Sequence, residues 1–240
     1  MTRPYSIFIT GASSGIGASI AETLCLAGHN VYAFARRKDE LQALKDNAAG
    51  SSGKLYYSVG SVTNKEDLKK AIENCVDEFG GIDILIPNAG IGYFNPLEMA
   101  PLDEWEAMID VNVTGVLKTL HFALPHLLES KGQIINIGSV AARHVFPNSG
   151  VYCATKHAVL ALSESLRIEY TDKLAITTIN PGAVDTPFIE RTQNEKLRND
   201  YKPNFDSGMK PEFIAKAVLQ AIEANGKGIY SEVTLRPDRR

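Results

Sequence analysis

Short apolar runs that resemble β-strands alternate along the chain with longer stretches of helical periodicity. The strand-like runs occupy residues 5–10, 30–35, 54–59, 82–87, 132–138, 175–180 and 228–233. The helical stretches occupy residues 15–28, 39–47, 64–79, 103–129, 151–172 and 211–225. Such alternation indicates βαβ units, because parallel neighbours need a crossover helix between them. The sequence therefore predicts an α/β fold with a doubly wound, mostly parallel sheet of seven strands flanked by helices.

The length of the chain and its connections predict one domain. At 240 residues the chain fits one large α/β domain, over residues 1–240, better than two small ones. The glycine- and serine-rich residues 48–53 indicate a connection between the second helix and the third strand. Residues 181–210 are too long for a plain loop. They begin where ligands bind in such sheets, beyond a strand's carboxyl end, so a substrate lid is predicted, with surface decoration as the alternative.

Composition excludes several classes of protein. A formal net charge of −3 with no basic stripe argues against a nucleic-acid surface. The N-terminal apolar run of six residues is too short for a signal peptide, and no uncharged apolar run reaches the ~18 residues of a membrane span. A cytoplasmic protein is expected. Three widely spaced cysteines, Cys25, Cys75 and Cys153, predict buried thiols rather than a disulfide framework or a zinc site.

A glycine-rich turn follows the first strand. Gly11, Gly15 and Gly17 permit a tight turn, a close approach of backbone N–H groups to a pyrophosphate, and packing of helix on strand. The helix that follows adds about half a positive charge at its N-terminus. The turn therefore predicts a dinucleotide site, and a tight turn without a ligand is the alternative.

The end of the second strand carries two cations. A chain built for NAD places Asp or Glu near this point to bond the ribose 2′-hydroxyl, whereas this chain has Arg36 and Arg37. Two guanidinium groups suit a 2′-phosphate, which a carboxylate would repel. NADP(H) is therefore the predicted cofactor, and no metal is predicted. The alternative is that both arginines are solvated charges at a helix start.

A tyrosine and a lysine share one helical face. Tyr152 and Lys156 are four residues apart, so their side chains lie one above the other on the predicted helix. Lowering a tyrosine pKa from about 10 to about 7 requires roughly 4 kcal/mol. A cation ~5 Å away at an effective dielectric of ~20 supplies about 3 kcal/mol. The pair could therefore act as an acid, although such a spacing also arises by chance.

The ordered motifs of the chain resemble those of the short-chain dehydrogenase/reductase family, along nearly its whole length. The motifs are "TGASSGIG" at 10–17, "NAG" at 88–90, "VNVTG" at 111–115, "GS" at 138–139, "YCATK" at 152–156 and "PGAVDTP" at 181–187. The resemblance implies a Rossmann-type fold and an NADP(H)-dependent oxidoreductase that interconverts a carbonyl and an alcohol. The expected substrate is small or medium, such as a 3-hydroxy acid or a small aldehyde.

The same resemblance assigns four catalytic residues. Tyr152 would be the general acid in carbonyl reduction, and the base in alcohol oxidation. Lys156 would lower the pKa of Tyr152 and hold the nicotinamide ribose. Ser139 would hydrogen-bond the substrate oxygen, and Asn112 would support a proton-relay water that reaches Lys156. The alternatives without a catalytic role are a serine that closes a strand and an asparagine that caps a polar face.

The resemblance also implies a set of cofactor contacts. They comprise the glycine turn, the two arginines, the residues after strands three and four, the catalytic pair, and the loop after strand six: Gly11, Ser13, Ser14, Gly15, Ile16, Gly17, Arg36, Arg37, Ser61, Val62, Asn88, Ala89, Gly90, Tyr152, Lys156, Pro181, Gly182, Val184 and Thr186. Two positions depart from the family pattern. Pro87 stands where an asparagine is usual, and Ser61 stands where an aspartate usually touches adenine.

Substrate selectivity is expected from residues 91–94, 140–149 and 188–201, which carry aromatics beside Arg143, His144 and Arg191. A cation there would bind a carboxylate or sulfonate, or would be solvated. The C-terminal "LRPDRR" resembles the tail of a subgroup that acts on short 3-hydroxy acids and small aldehydes, and Arg236 is a candidate to reach a neighbouring subunit's pocket.

The resemblance further implies a homodimer or homotetramer that associates through helices 103–129 and 151–172. Pro125 is expected to kink the first of these helices or to mark its end.

Other functions remain as alternatives. A steroid or 3-oxoacyl reductase would have a wide apolar lid. A module that senses NADP(H) without turnover would be expected to lack the tyrosine or the lysine, and both are present. A sugar epimerase would need more chain after the seventh strand, and an enoyl reductase usually has a wider tyrosine-to-lysine spacing.

Overall fold

The computed structural model describes residues 3–240, and its strands form one sheet. All pairings are parallel, in the order β3-β2-β1-β4-β5-β6-β7. The strands are β1 (Ser6–Thr10), β2 (Asn30–Ala35), β3 (Leu55–Val59), β4 (Ile84–Ile86), β5 (Gln133–Ile137), β6 (Ala175–Pro181) and β7 (Glu232–Leu235). The predicted seven-stranded, doubly wound α/β fold is confirmed. The predicted domain begins at residue 1, and its first two residues lie outside the described range.

Eight α-helices accompany the sheet over the described residues. They are α1 (Gly15–Leu26), α2 (Lys38–Asn47), α3 (Lys65–Phe79), α4 (Leu102–Ile109), α5 (Gly115–Ser130), α6 (Gly150–Glu169), α7 (Glu195–Asp206) and α8 (Pro211–Glu223). Helix α3 shows why the sequence marks its own ends. The side chain of Asn64 accepts hydrogen bonds from the first-turn N–H groups of Glu66 and Asp67, and Gly80 ends the helix in the left-handed conformation.

The sheet separates two layers of helices. Alternate residues of a strand point to opposite faces, so Ile7 and Ile9 pack with α1, α2 and α8, whereas Phe8 packs with α3, α5 and α6. Both faces are buried, which is why the strands read as continuous apolar runs instead of alternating ones. The two cores hold the carboxyl ends of the strands along one edge.

The long helix predicted over 103–129 is interrupted. Helix α4 ends at Ile109, a π-helical turn covers Asp110–Thr114, and α5 continues to Ser130. Pro125 lies inside α5, five residues before its end, so it does not terminate the helix. A π turn adds only one residue to a helical turn, so it shifts the phase of the apolar periodicity without breaking it, and the sequence predicts one continuous helix.

Two other boundaries differ from the sequence prediction. The last strand is Glu232–Leu235 rather than 228–233, because Thr178–Pro181 of β6 pair with those four residues. The segment 181–210 contains a short 3₁₀ helix (Pro187–Arg191) and the helix α7, which the periodicity did not reveal. In α7 Leu197, Tyr201 and Phe205 are the apolar residues, too few for a clear pattern.

The three cysteines, Cys25, Cys75 and Cys153, are buried free thiols, as the sequence predicts. Within residues 3–240, none of the helices has the length and apolar character needed to cross a bilayer.

Candidate active site

A large cavity opens at the carboxyl ends of the strands. The strand order reverses between β1 and β4, which leaves a crevice there for a ligand. The cavity has a volume of about 700 Å³. The glycine turn after β1, the ends of β2 and β4–β6, and the segment that carries α7 line it. These elements bring together residues that are up to about two hundred positions apart in the sequence.

The glycine turn packs tightly between β1 and β4. Gly11 has φ +70°, and a Cβ at this position would lie 2.7 Å from Cα of Ala89. Asn88 Nδ2 donates hydrogen bonds to the carbonyl oxygens of Thr10 (2.9 Å) and Gly11 (3.2 Å). Only glycine therefore fits at residue 11, and the N-terminus of α1 is held open to the cavity.

The two arginines after β2 lie beside this turn. Arg36 and Arg37 both line the cavity. Arg37 Nη2 donates to the hydroxyls of Ser13 (3.0 Å) and Ser14 (2.5 Å), so the two serines orient the guanidinium. Glu40 lies 3.4 Å from Arg37 on the other side. The arrangement presents two cations next to the backbone of the glycine turn.

Ser61 stands where the family usually has an aspartate, and a nearby carboxylate, that of Asp67, contacts its backbone. Asp67 of α3 accepts the backbone N–H of Ser61 at 3.1 Å, and the Ser61 hydroxyl bonds the hydroxyl of Thr63. The loop that holds Ser61 and Val62 therefore lines the cavity without a carboxylate of its own.

Tyr152 and Lys156 lie on one face of α6, as their spacing predicts. Both are buried. Lys156 Nζ donates to the carbonyl oxygen of Ile137 at 3.1 Å, and it lies 5.9 Å from the centroid of the Tyr152 ring. The end of β5 therefore positions the lysine, and the helix positions the tyrosine above it.

Ser139 follows β5 and faces the same point. Its backbone N–H donates to Asn180 Oδ1 at 3.1 Å, and its hydroxyl accepts from the N–H of Ala141 at 3.0 Å. Burial raises the pKa of Tyr152, and a hydrogen bond from the Ser139 side chain opposes that rise. The serine, the tyrosine and the lysine thus converge at one end of the cavity.

Asn112 lies in the π turn, behind the cavity wall. Its Oδ1 accepts from the N–H of Ile91 at 2.8 Å, and its Nδ2 donates to Ile91 O (2.8 Å) and Thr155 Oγ1 (3.0 Å). The side chain is fully engaged and 1% exposed. Asn112 therefore joins the loop after β4 to α6, and a role in a water relay stays a prediction.

Burial dominates the pKa values of the buried pair. It raises the pKa of Tyr152 to about 12, against the smaller lowering effect of Ser139. It lowers the pKa of Lys156 to about 8. Desolvation favours the neutral form of both groups, and Lys156 directs its ammonium to the Ile137 carbonyl. The lowering effect of Lys156 on the pKa of Tyr152, which the family resemblance implies, stays a prediction.

Five aromatic rings form the wall opposite the glycine turn. The Phe188 ring lies 5.5 Å from Tyr152 and 6.1 Å from Phe205. Phe94 lies 6.0 Å from Tyr152 and 5.4 Å from Tyr201. A Cβ on Gly92 would lie 2.6 Å from the Phe188 ring, so the absence of a side chain there lets the ring approach Tyr152.

The segment that carries α7 is fastened at its base and at its tip. At the base, Met209 N donates to Ala183 O at 3.0 Å, and Asp185 N donates to Met209 O at 2.9 Å. At the tip, Tyr201 Oη donates to Pro147 O at 2.9 Å, across the cavity from the loop after β5. The segment thus lies over the cavity as one flap.

Comparison with known proteins decides the family. A model of the short chain dehydrogenase family matches residues 6–197. The chain belongs to that family. It is therefore an oxidoreductase of the short chain dehydrogenase type. An uncharacterised oxidoreductase of Staphylococcus saprophyticus is 37% identical over 235 residues, which are 96% of this chain and 95% of the relative.

Solved short chain dehydrogenases have the same fold. An alcohol dehydrogenase from Thermococcus sibiricus, complexed with 5-hydroxy-NADP, matches with a TM-score of 0.87 at 29% identity, over 98% of this chain and 97% of that chain. A serine dehydrogenase in its closed form, complexed with NADP⁺, matches with a TM-score of 0.87 at 30% identity, over 96% and 94% of the two chains. Nicotinamide dinucleotides are thus the cofactors of the family.

The residues predicted for this short chain dehydrogenase from sequence come together. All nineteen predicted cofactor residues line the cavity, and so does Ser139; Asn112 alone lies behind its wall. The sequence reading missed Asn180 and Glu232, which support Ser139, and Asn204 and Phe205, which line the cavity beyond the predicted limit at Tyr201. A polar residue at the end of a buried strand was the available signal for Asn180.

The predicted substrate cations have different surroundings. Arg143 Nη2 lies 2.8 Å from Glu232 Oε2, and Arg236 Nη2 lies 3.1 Å from His144 Nε2 of the same chain. Arg191 lines the cavity and has no hydrogen-bond or ion-pair partner among residues 3–240. Arg143 and Arg236 are therefore engaged locally, and Arg191 is not.

Proposed function

We propose that this short chain dehydrogenase is an NADP(H)-dependent oxidoreductase that interconverts an aldehyde, ketone or keto acid and the corresponding alcohol by hydride transfer. Its substrate is small or medium in size, such as a 3-hydroxy acid or a small aldehyde. The observation that carries the proposal is the convergence of Ser139, Tyr152 and Lys156 at one end of a cavity that begins at the glycine turn.

The residues present fit a nicotinamide dinucleotide. The open N-terminus of α1 and the close approach of Gly11 to Ala89 form a cradle for a pyrophosphate. Lys156, at the other end, would hold the nicotinamide ribose, with Pro181, Gly182, Val184 and Thr186 near the carboxamide. The bound cofactor supplies or accepts the hydride.

The chain's own groups would move the proton and stabilise the charge. Because burial raises the pKa of Tyr152 to about 12, its phenol stays protonated at neutral pH and can donate a proton to the oxygen of a reduced carbonyl. Ser139 would hydrogen-bond the same oxygen as negative charge develops on it. In the direction of oxidation Tyr152 would accept the proton.

The proposal is tested by turnover. Initial rates of NADPH and NADH oxidation are measured with a panel of small aldehydes, keto acids, ketosteroids and acyl thioesters. We expect turnover with one class, and its loss by a factor of at least about 100 in Tyr152→Phe. Tight NADPH binding without turnover of any panel member would favour the alternative, a module that senses NADP(H).

Preference for NADP(H) over NAD(H) is supported by Arg36 and Arg37. Both residues line the cavity just after β2, Ser13 and Ser14 hold Arg37 in place, and two guanidinium groups suit a 2′-phosphate. Two similar solved structures are complexes with NADP⁺ or a derivative of NADP. The glycine turn itself, TGASSGIG, contains no basic residue, so the proposed preference rests on these two arginines.

The preference is tested with Arg37→Ser and with the double variant that also carries Arg36→Ser. We expect the KM for NADPH to rise about 10- to 100-fold, because a charge-assisted hydrogen bond to the phosphate is lost, while the KM for NADH changes little. Lys38→Ser is the matched control, since Lys38 is exposed and lies outside the cavity wall. Equal effects on both cofactors would contradict the preference.

A larger apolar substrate is the second candidate. The five-ring aromatic wall favours a steroid or 3-oxoacyl reductase over an enzyme for very small aldehydes, because such rings bury apolar surface. The flap that carries α7 would then serve as a lid over the substrate. Preferred turnover of ketosteroids or acyl thioesters in the panel would establish this candidate.

Assembly and location stay predictions. A homodimer or homotetramer through α4, α5 and α6 is tested by light scattering coupled to gel filtration, where a monomer would contradict it. A cytoplasmic location is tested by fractionation of the source cells.

A further inference from the structure

The cavity carries an excess of positive charge. Four cationic residues line it, and Asp110 is the carboxylate in its wall; the four are Arg36, Arg37, Lys156 and Arg191. The protein as a whole has a formal net charge of −3, so the excess is local. Arg36 and Arg37 lie at the end of β2, and Lys156 is buried against Ile137 O. Arg191 is therefore the one of these four cations that lies outside the predicted set of cofactor contacts.

Arg191 lies on the side of the cavity that holds Tyr152. It ends the 3₁₀ helix Pro187–Arg191, in which side chains three residues apart eclipse one another. Arg191 consequently shares a face with Phe188, whose ring lies 5.5 Å from the Tyr152 ring. Its guanidinium has five donors, and none has a hydrogen-bond acceptor among the described residues.

Aromatic rings make up much of the same side of the cavity, beside the hydroxyls of Tyr152 and Tyr201. Helix α7 buries none of its residues, yet Leu197, Tyr201 and Phe205 stand four residues apart on one face. Tyr201 and Phe205 line the cavity with Phe94 and Phe188. Half-covered aromatic rings next to an unpaired cation form a surface that is complementary to an apolar anion.

We propose that Arg191 is a specificity residue for a carboxylate. The substrate would be an acidic carbonyl compound whose aromatic or unsaturated body lies against Phe94, Phe188 and Phe205. The inference rests on the proposed carbonyl–alcohol activity and names the substrate class of that site. Charge-assisted, bidentate contact with a guanidinium makes a carboxylate the preferred anion.

Four probes separate the two recognition elements. Acetoacetate and benzoylacetate differ by an aryl group, and the methyl ester of each removes the negative charge alone. We expect kcat/KM to be highest for benzoylacetate. Arg191→Gln should lower kcat/KM about 10- to 100-fold for the two acids and leave the two esters within about 2-fold. Lys196→Gln, an exposed cation of the same flap outside the cavity wall, is the matched control.

A binding measurement keeps this inference distinct from the activity. Titration calorimetry with 3-hydroxy-3-phenylpropanoate and its methyl ester is done on the NADPH complex, in which the alcohol has no hydride acceptor and cannot react. Weaker binding of the acid alone in Arg191→Gln supports the inference even where no probe turns over. Equal losses for acid and ester, or a weakened Kd for NADPH in that variant, would overturn it, since Arg191 would then contact the cofactor. Failure of the protein to bind the acid more tightly than the ester would overturn it as well.

A second observation concerns the support of Ser139. Asn180 Oδ1 accepts the Ser139 N–H at 3.1 Å, and Asn180 Nδ2 donates to Glu232 Oε1 at 2.9 Å. Arg143 then donates to both oxygens of Glu232, at 3.3 and 2.8 Å. This series of hydrogen bonds leads from the exposed Arg143 through Glu232 and Asn180 to the backbone of Ser139.

The inner part of this series of hydrogen bonds is rigid. Asn180 is 1% exposed, and a Cβ on Gly138 would collide with its Oδ1. The amide therefore fills the space beside Gly138 and sets the orientation of the Ser139 backbone. We infer that Asn180 and Glu232 are positioning residues, which place the Ser139 hydroxyl against the reacting oxygen without touching it.

Exchanging the donor and the acceptor in the hydrogen bond between Asn180 and Glu232 tests this inference. Asn180→Asp still accepts the Ser139 N–H but sets a carboxylate against Glu232, so we expect single-turnover hydride transfer to slow about 10- to 100-fold. Adding Glu232→Gln restores a donor to the new carboxylate and should recover most of the rate. Glu232→Gln alone keeps an oxygen that accepts from Asn180 but weakens the contact with Arg143, so it should slow hydride transfer by less than Asn180→Asp does.

Stability and cofactor binding are recorded for each of these variants. A purely structural role would lower Tm and leave the hydride-transfer rate, measured well below Tm, unchanged. Unchanged rates in folded Asn180→Asp, or a loss that Glu232→Gln does not repair, would overturn the inference. An unchanged Kd for NADPH is expected throughout.

Discussion

At the scale of residues, burial decides the chemistry of the candidate site. Tyr152 and Lys156 sit one turn apart on α6, and desolvation pushes both toward their neutral forms. The phenol thus starts as an acid, which is the form that carbonyl reduction needs. Burial destabilises the charged form of Lys156, because a single carbonyl, that of Ile137, accepts a hydrogen bond from its ammonium.

The cost of burying Lys156 predicts a pH-dependent stability. Burial lowers the pKa of Lys156 from 10.5 to about 8. Between these values the unfolded chain binds this proton and the folded protein does not, so the contribution of Lys156 to the free energy of unfolding rises with pH. Relative to Lys156→Met, the wild type should gain up to about 3 kcal/mol from below pH 8 to above pH 10.

Urea unfolding of both proteins at pH 7 and pH 10 measures this gain. Because the raised pKa values of Cys25 and Cys75 are common to both proteins, their opposite effect cancels in the difference. A difference between the two proteins that stays constant with pH would contradict the prediction.

At the scale of elements, the flap over the cavity is the segment between β6 and α8, and its two ends are paired with each other. Val184 and Met209 pair at its base as a parallel bridge, which joins the two ends of the flap. Its helix α7 buries no residue, and Tyr201 Oη reaches Pro147 O on the opposite wall. A segment with so few buried contacts opens more easily than the core.

Loss of the Tyr201 hydroxyl should loosen this flap. Tyr201→Phe keeps the ring against Phe94 and removes the bond to Pro147, which is worth about 0.5–1.5 kcal/mol. We expect the KM for the carbonyl substrate to rise about 2- to 10-fold without a fall in kcat, and proteolysis within residues 185–208 to accelerate. Tyr230→Phe, at an exposed ring, is the control. An unchanged KM and proteolysis rate would show that this bond does not hold the flap.

At the scale of the whole molecule, one buried sheet organises everything else. Phe8 lies at its centre, fully buried, and its ring stacks 5.9 Å from Tyr32 and 6.1 Å from Phe34. The strand that carries Phe8 also ends in the glycine turn. The core and the cofactor site therefore share β1.

Truncation at this centre should lower global stability. Phe8→Ala removes a large buried ring, so we expect the free energy of unfolding to fall by about 3–5 kcal/mol in urea titrations. Phe213→Ala, at a ring that is 53% exposed, should change it by less than about 1 kcal/mol. Similar losses in the two variants would contradict the placement of Phe8 in the core.

The sequence by itself determined the order of elements, the glycine turn and the alignment of Tyr152 with Lys156, because each depends on residues close together in the chain. Only the tertiary structure decided the rest. The hydrogen bond between Asn180 and Glu232 joins residues that are 52 positions apart. Helix α7 has too few apolar residues for its periodicity to be recognised in the sequence. Arg143 and Arg236 have side-chain partners, and Arg191 has none among the described residues. This difference likewise depends on which groups distant strands and loops bring to each side chain. Such contacts arise from packing, which local periodicity does not encode.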